Sequence, residues 1–126
     1  MNFPVEVGIV DDVRVFRQSL RGVLEKHPAI HVVAEAENGK EAVDLVDRHH
    51  PDVLVMDLSM PVMNGLDATR VILSRNPTAK ILILTMYASE EMAAEALSAG
   101  ACSFVSKDCG LNTLCKSILE CAAGRA

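Results

Sequence analysis

Hydrophobic and polar positions along this chain alternate between two periods, and the alternation predicts five strands interleaved with five helices. Val5–Val10, Ile30–Ala36, Val53–Met56, Lys80–Thr85 and Ala101–Ser106 are short apolar runs bounded by turn residues, the pattern of strands buried on both faces. Between them the apolar positions recur at helical spacing. Phe16, Leu20, Val23 and Leu24 mark a helix from about Val13 to His27, with Arg14, Arg17, Arg21 and Lys26 at its polar positions and Pro28 as its stop. Asn38 and Glu41 form a capping-box signature ahead of Ala42, Leu45 and Val46. Asn64 is expected to cap a helix carrying Leu66, Val71 and Ile72 that ends before Pro77. Ser89 opens a fourth helix with Met92, Ala93, Ala96 and Leu97 inward and Gly100 as its left-handed end. The last helix starts near Leu111 and buries Leu114, Cys115, Ile118, Leu119 and Ala122. Strands alternating with helices mean right-handed crossovers and one parallel sheet in an α/β domain.

That order places chemistry at one edge. Asp11 and Asp12 follow the first strand, Asp57 the third, Thr85 the fourth and Lys107 the fifth. Ligands of open α/β sheets sit at the carboxyl ends of the strands. Each residue also has a plain structural explanation. Asp57 can simply end its strand and bond to the loop, and Asp11-Asp12 can be a solvated turn that caps the next helix. As a set they are harder to explain that way, because three carboxylates converge. Two unit charges 4 Å apart interact by about 4 kcal/mol at an effective dielectric near 20. Lys107 and a hard divalent cation such as Mg²⁺ relieve that repulsion. A phosphoryl group bridging to such a cation would find donors in Thr85 and Lys107, and a central carboxylate is a competent nucleophile.

Composition narrows the field. The 126 residues suffice for one domain, half of them are apolar, and no apolar run is long enough to span a bilayer. The first residues carry no signal-peptide pattern. A net charge of −5 speaks against non-specific DNA binding by this domain itself. Cys102, Cys109, Cys115 and Cys121 have neither zinc spacing nor a disulfide framework, so reduced thiols in a cytoplasmic protein are expected. His27, His31, His49 and His50 stand at element ends and are read as solvated.

Asp11-Asp12, the segment Val-Met-Asp57-Leu-Ser-Met-Pro-Val-Met-Asn-Gly, Thr85, Phe104 and Lys107 together resemble the receiver domain of two-component response regulators, over nearly the whole chain. Leu-Thr-Met-Tyr, Ala-Leu-Ser-Ala-Gly-Ala and Ser-Lys-Asp further resemble the NarL/LuxR-type subfamily. The resemblance implies a flavodoxin-like (βα)5 doubly wound sheet in the order 2-1-3-4-5, with residues 1–126 as the receiver. It makes Asp57 the phosphoacceptor for a sensor histidine kinase. Asp12 and Asp57 would bind Mg²⁺ by side chain, Ser59 by its carbonyl and Asp11 through water. Thr85 and Lys107 would contact the phosphoryl group, and Phe104 would be the switch aromatic that follows Thr85. Ser59 and Met86 would tune the phosphorylated lifetime, with Met86 in the loop over the cleft.

A receiver is a phosphoacceptor, not an enzyme, apart from Mg²⁺-dependent self-phosphorylation and slow self-dephosphorylation. Its expected partners are the kinase and a second copy on phosphorylation. DNA would be reached only through a C-terminal helix-turn-helix domain outside residues 1–126, in control of transcription. Phe104 stands where tyrosine is more usual, so burial is the expected driver of switching, and Met86 stands where many receivers have a small residue, which bears on the phosphorylated lifetime. A free-standing receiver acting by protein contact is the nearest alternative. An aspartyl phosphatase would need a second acid where Ser59 stands, and a dinucleotide carrier would need a Gly-rich loop after the first strand.

Overall fold

The computed structural model describes residues 4–124. Their elements run β1 (Val5–Val10), α1 (Arg14–Leu24), β2 (Ile30–Ala36), α2 (Gly39–His49), β3 (Val53–Met56), α3 (Gly65–Arg75), β4 (Ile81–Thr85), α4 (Glu90–Ser98), β5 (Ser103–Ser106) and α5 (Leu111–Ala122). The strands form one parallel sheet in the order β2-β1-β3-β4-β5. This is the flavodoxin-like arrangement that the resemblance implies.

Side-chain alternation divides the core into two layers. On one face Val7, Ile9, Val55, Leu82 and Leu84 pack against Leu20 and Leu24 of α1 and Leu114, Cys115, Ile118 and Cys121 of α5. On the other, Val10, Leu54, Met56, Ile81 and Ile83 meet α2, α3 and α4 through Leu45, Val46, Ala68, Ile72 and Ala96. Burial pushes the Cys115 and Cys121 thiols up, away from the reactive thiolate, in keeping with a core role for Cys115.

The caps follow the sequence closely. The side chains of Asn38, Asn64 and Ser89 accept from the backbone N–H groups of Glu41, Asp67 and Met92. The return bond expected of the capping box comes one residue early, because Glu41 accepts from Glu37 rather than from Asn38. Gly100, at φ +108°, ends α4, and the Ala101 N–H donates back to the Ala96 carbonyl.

Four expectations need correction. Helix α1 stops at Leu24, not His27, because Lys26 and His27 bond three residues back in a tightened last turn. Val23, assigned to the inner face, is exposed. Strand β5 begins at Ser103 rather than Ala101, since the Ala101 N–H is already used by α4. Leu97, expected inward, is 52% exposed, and Ala96 alone in α4 is fully buried.

One feature has no counterpart in the alternation pattern. Strand β2 carries a register shift opposite Val7 and Gly8: Val7 pairs with Val32, but Gly8 pairs with Ala34. Val33 is the extra residue, and beyond it the side chains of β2 change faces. No helix among the described residues is long and apolar enough to cross a membrane.

Candidate functional site

The carboxyl ends of β1, β3, β4 and β5 bring the predicted residues to one edge of the sheet. Oxygens of Asp11, Asp12 and Asp57 lie within 4.8 Å of one another. Asp11 and Asp57 are buried and Asp12 is exposed at the rim. Asp57 is positioned by its backbone, whose N–H donates to the Val10 carbonyl at 3.0 Å. Its Oδ1 accepts from the Leu58 N–H at 2.7 Å. Beneath it, helix α3 begins so close that a Cβ on Gly65 would sit 2.2 Å from the Asp57 carbonyl oxygen. Only glycine permits that approach.

The two carboxylate oxygens of Asp11 face different partners, and the residue is buried rather than solvated. Its Oδ1 accepts from the Val13 N–H at 2.9 Å, shaping the entry to α1, while its Oδ2 faces the cleft. Lys107 enters from β5 with its side chain almost fully buried. Its Nζ donates to Asp11 Oδ2 at 2.7 Å and to Asp57 Oδ2 at 3.2 Å. The ammonium also lies 4.1 Å from the ring centroid of Phe16, a cation–π contact.

These contacts set the charges. Burial pushes the Asp57 carboxyl above the usual range, and the neighbouring Asp11 adds to this, against the pull of Lys107. Burial disfavours the Lys107 ammonium, but its bond to Asp11 and the charge of Asp57 more than offset this and raise it above the ordinary lysine range. Three carboxylates offering hard oxygen atoms within one small sphere, with one compensating ammonium, make a donor set that fits a divalent hard cation.

Thr85 is buried at the end of β4, and its Oγ1 accepts from the Tyr87 N–H at 3.3 Å. Its carbonyl accepts from the Lys107 N–H at 2.9 Å, tying the two strand ends together. Phe104 pairs with Ile83 in the β4–β5 register, so it lies diagonally from Thr85 on the same face, half-buried on the α4 side. Ser59 is exposed two residues beyond Asp57. Met86 is 65% exposed in the loop after Thr85. The histidines stand apart: His27 Nδ1 accepts from the Ala29 N–H, His31 lies 3.7 Å from Glu25, and His49 and His50 are exposed.

Sequence reasoning missed two residues here. Phe16 was read only as core and Arg17 only as helix surface. Arg17 is in fact largely buried: its Nη1 donates to the Asp11 carbonyl at 2.7 Å and its Nε to Glu35 Oε1 at 2.9 Å. An aromatic and an arginine in the first turns after Asp11-Asp12 were the available signal.

A parallel 2-1-3-4-5 sheet with this acid cluster and lysine at its carboxyl edge defines a receiver. The chain belongs to the response regulator receiver domain family, whose model matches residues 7–119. It is 34% identical over 122 residues to the transcriptional regulatory protein DegU of Brevibacillus brevis, covering 97% of this chain and 52% of that protein. It is 46% identical over 101 residues to a protein-glutamate methylesterase/protein-glutamine glutaminase of Methanosarcina mazei, covering 79% of this chain and 28% of that one. The signal receiver domain of the response regulator NarL from Mycobacterium tuberculosis superposes with a TM-score of 0.93 at 31% identity, covering 98% of this chain and 99% of that domain. The chain thus spans about half the length of DegU and under a third of the methylesterase.

Proposed function

We propose that this receiver takes a phosphoryl group onto Asp57 from a sensor histidine kinase in the cytoplasm and turns it into a change of surface. The observation that carries the reading is the meeting of Asp11, Asp12, Asp57 and Lys107 at one strand edge. A carboxylate oxygen of Asp57 attacks phosphorus, the bond from phosphorus to the donor nitrogen or oxygen breaks, and its electron pair leaves with the donor. The product is an acyl phosphate. Asp12 and Asp57 by side chain, Ser59 by its carbonyl and Asp11 through water would hold Mg²⁺. When bound, that ion supplies positive charge against the crowded carboxylates and the transferring oxygens. Lys107 relaxes its hold on Asp57 and pairs with a phosphoryl oxygen, and the Thr85 hydroxyl donates to another.

Thr85 moves toward the phosphoryl group, and Phe104, diagonal to it on the same face, packs into the space left behind. Because Phe104 has no hydroxyl, burial alone favours the inward rotamer. The surface that changes is α4, β5 and α5, and a second copy of the chain is its first partner. Met86 stands at the rim of the cleft, where with Ser59 it governs the approach of water. Its exposure supports that role over a role as core filler. The receiver promotes its own phosphorylation from small donors and the slow hydrolysis of the product. Transcription is controlled through a helix-turn-helix domain outside residues 1–126, in line with the name that DegU carries.

Labelling tests the reading. With Mg²⁺ and a small acyl-phosphate donor, the chain gains one phosphoryl group labile to hydroxylamine, and Asp57→Ala gains none. Undiminished labelling of that variant would remove Asp57 as the acceptor.

A further inference from the structure

The register shift in β2 has a chemical result at the acid cluster. With an unbroken register, Glu35 would oppose Val10 and point toward the α2 layer. Val33 takes up the extra position, so Glu35 opposes Ile9 and faces α1. There its two oxygens receive Arg17 Nε at 2.9 Å and Arg21 Nη1 at 2.6 Å. Burial pushes the Glu35 carboxyl up, but the hydrogen bonds and charges of Arg21 and Arg17 outweigh it and hold the group below its ordinary range. It is therefore an anion that fixes the Arg17 fork.

Side chains on a helix lean toward its N-terminus, so Arg17 reaches back to the Asp11 carbonyl at 2.7 Å. The Asp11 N–H is already committed to the Ala36 carbonyl at 3.1 Å, at the far end of the same strand that carries Glu35. The Asp11 carbonyl belongs to the peptide plane that joins Asp11 to Asp12. That plane sets where the two carboxylates stand relative to each other.

We propose that Arg17, clamped by Glu35, is a positioning residue for the cation site: it holds the Asp11–Asp12 peptide in the orientation from which both carboxylates face the cleft. It touches neither metal nor phosphoryl group. The inference rests on the receiver reading of the acid cluster. It differs from simple anchoring of α1, because Arg21 anchors the same helix to the same Glu35 without contacting Asp11.

That difference supplies the control. Arg17→Met keeps the aliphatic stem and loses both hydrogen bonds, whereas Arg21→Met loses its bond to Glu35 and a 3.9 Å ion pair with Glu25, and no contact with Asp11. Mg²⁺ affinity is measured by calorimetry on both variants and the parent, beside melting temperature and amide exchange. Both variants are expected to melt earlier. Arg17→Met weakens Mg²⁺ binding about tenfold, the size of effect that residues supporting metal ligands have, and speeds exchange of the Asp11 amide, which is bonded to the Ala36 carbonyl. Arg21→Met stays within about twofold of the parent, the expected consequence of leaving the ligand-bearing peptide untouched.

Glu35→Ala, which frees the Arg17 fork, weakens Mg²⁺ severalfold and carries the test if Arg17→Met does not fold. Equal Mg²⁺ affinity in Arg17→Met and Arg21→Met, or parent affinity in Glu35→Ala, would overturn the clamp and leave the receiver reading standing. A parent that binds Mg²⁺ no better than Asp12→Ala would overturn both.

Discussion

The two flanks of the cleft differ in how many directional bonds hold them, although both expose apolar side chains, Val13 and Val15 on the first among them. On the α1–β2 flank, the polar groups are paired: Arg17 with Glu35 and the Asp11 carbonyl, Arg21 with Glu35, and the Asp11 side chain with Lys107 and the Val13 N–H. On the flank formed by β4, α4 and β5, apolar side chains face water: Met86, Tyr87 and Leu97 are all more than half exposed, and Phe104 is only half-buried. The first flank holds atoms in place with directional bonds. The second leaves apolar area unspent and holds the Thr85 hydroxyl by one 3.3 Å bond from the Tyr87 N–H, so a rearrangement there gains burial at the loss of few directional bonds. Local stability is uneven in proteins, and segments that move come from the weakly held end. A receiver needs both properties within one cleft.

The floor beneath Asp57, where α3 begins under both flanks, carries the largest expected effect. Gly65→Ala puts a methyl group against a backbone oxygen that has no room to yield. The expected cost is about 1–3 kcal/mol, as for other overpacked sites, with phosphoryl labelling reduced in step. A denaturant titration with no change in midpoint would show that α3 is looser than its contacts imply.

Glu35→Gln probes the paired α1–β2 flank through pH. The Glu35 carboxyl is held below its ordinary value in the folded chain, so the charge contributes stability above the unfolded-state value. That contribution is lost as pH falls through the folded value. The substitution should therefore lower stability at pH 7 by about 1 kcal/mol, the upper end for a partly exposed pair, and the difference from the parent should close in acid. A gap that stays constant down to pH 3 would detach Glu35 from the ion pairs.

On the open flank, Met86→Ala should shorten the phosphorylated lifetime severalfold, less than the tenfold that corresponds to about 1.4 kcal/mol of barrier. Mg²⁺ affinity and melting temperature should stay with the parent. Equal or slower decay after donor removal would mean that Met86 is no shield.

The same contrast explains what could be read from the sequence. Asp11, Asp12, Asp57, Thr85 and Lys107 were legible because each directly follows or closes an apolar strand, and a parallel sheet brings such ends together. The caps at Asn38, Asn64 and Ser89 were legible because a cap is a local bond between near neighbours. Glu35 was hidden, since strand alternation assumes an unbroken register and the shift at Val33 reverses it. Arg17 was hidden with it, because its partners lie in another element. Leu97 was misplaced for a related reason: helical spacing identifies an apolar stripe but not whether anything covers it, and α4 leaves much of its stripe in solvent.

Lys107 reaches across 96 positions to Asp11 and 50 to Asp57. At translation rates of about 5–20 residues per second, it leaves the ribosome about 3–10 s after the aspartate. Throughout that interval the acidic cluster lacks the ammonium that pairs with its carboxylates, and β5, which delivers that cation, has nothing to pair with before β4 is in the sheet. Contacts of such long sequence separation form late in folding. A nascent or truncated chain can therefore display the Asp57 carboxylate before the pocket around it is complete. The assembled pocket belongs to the finished sheet.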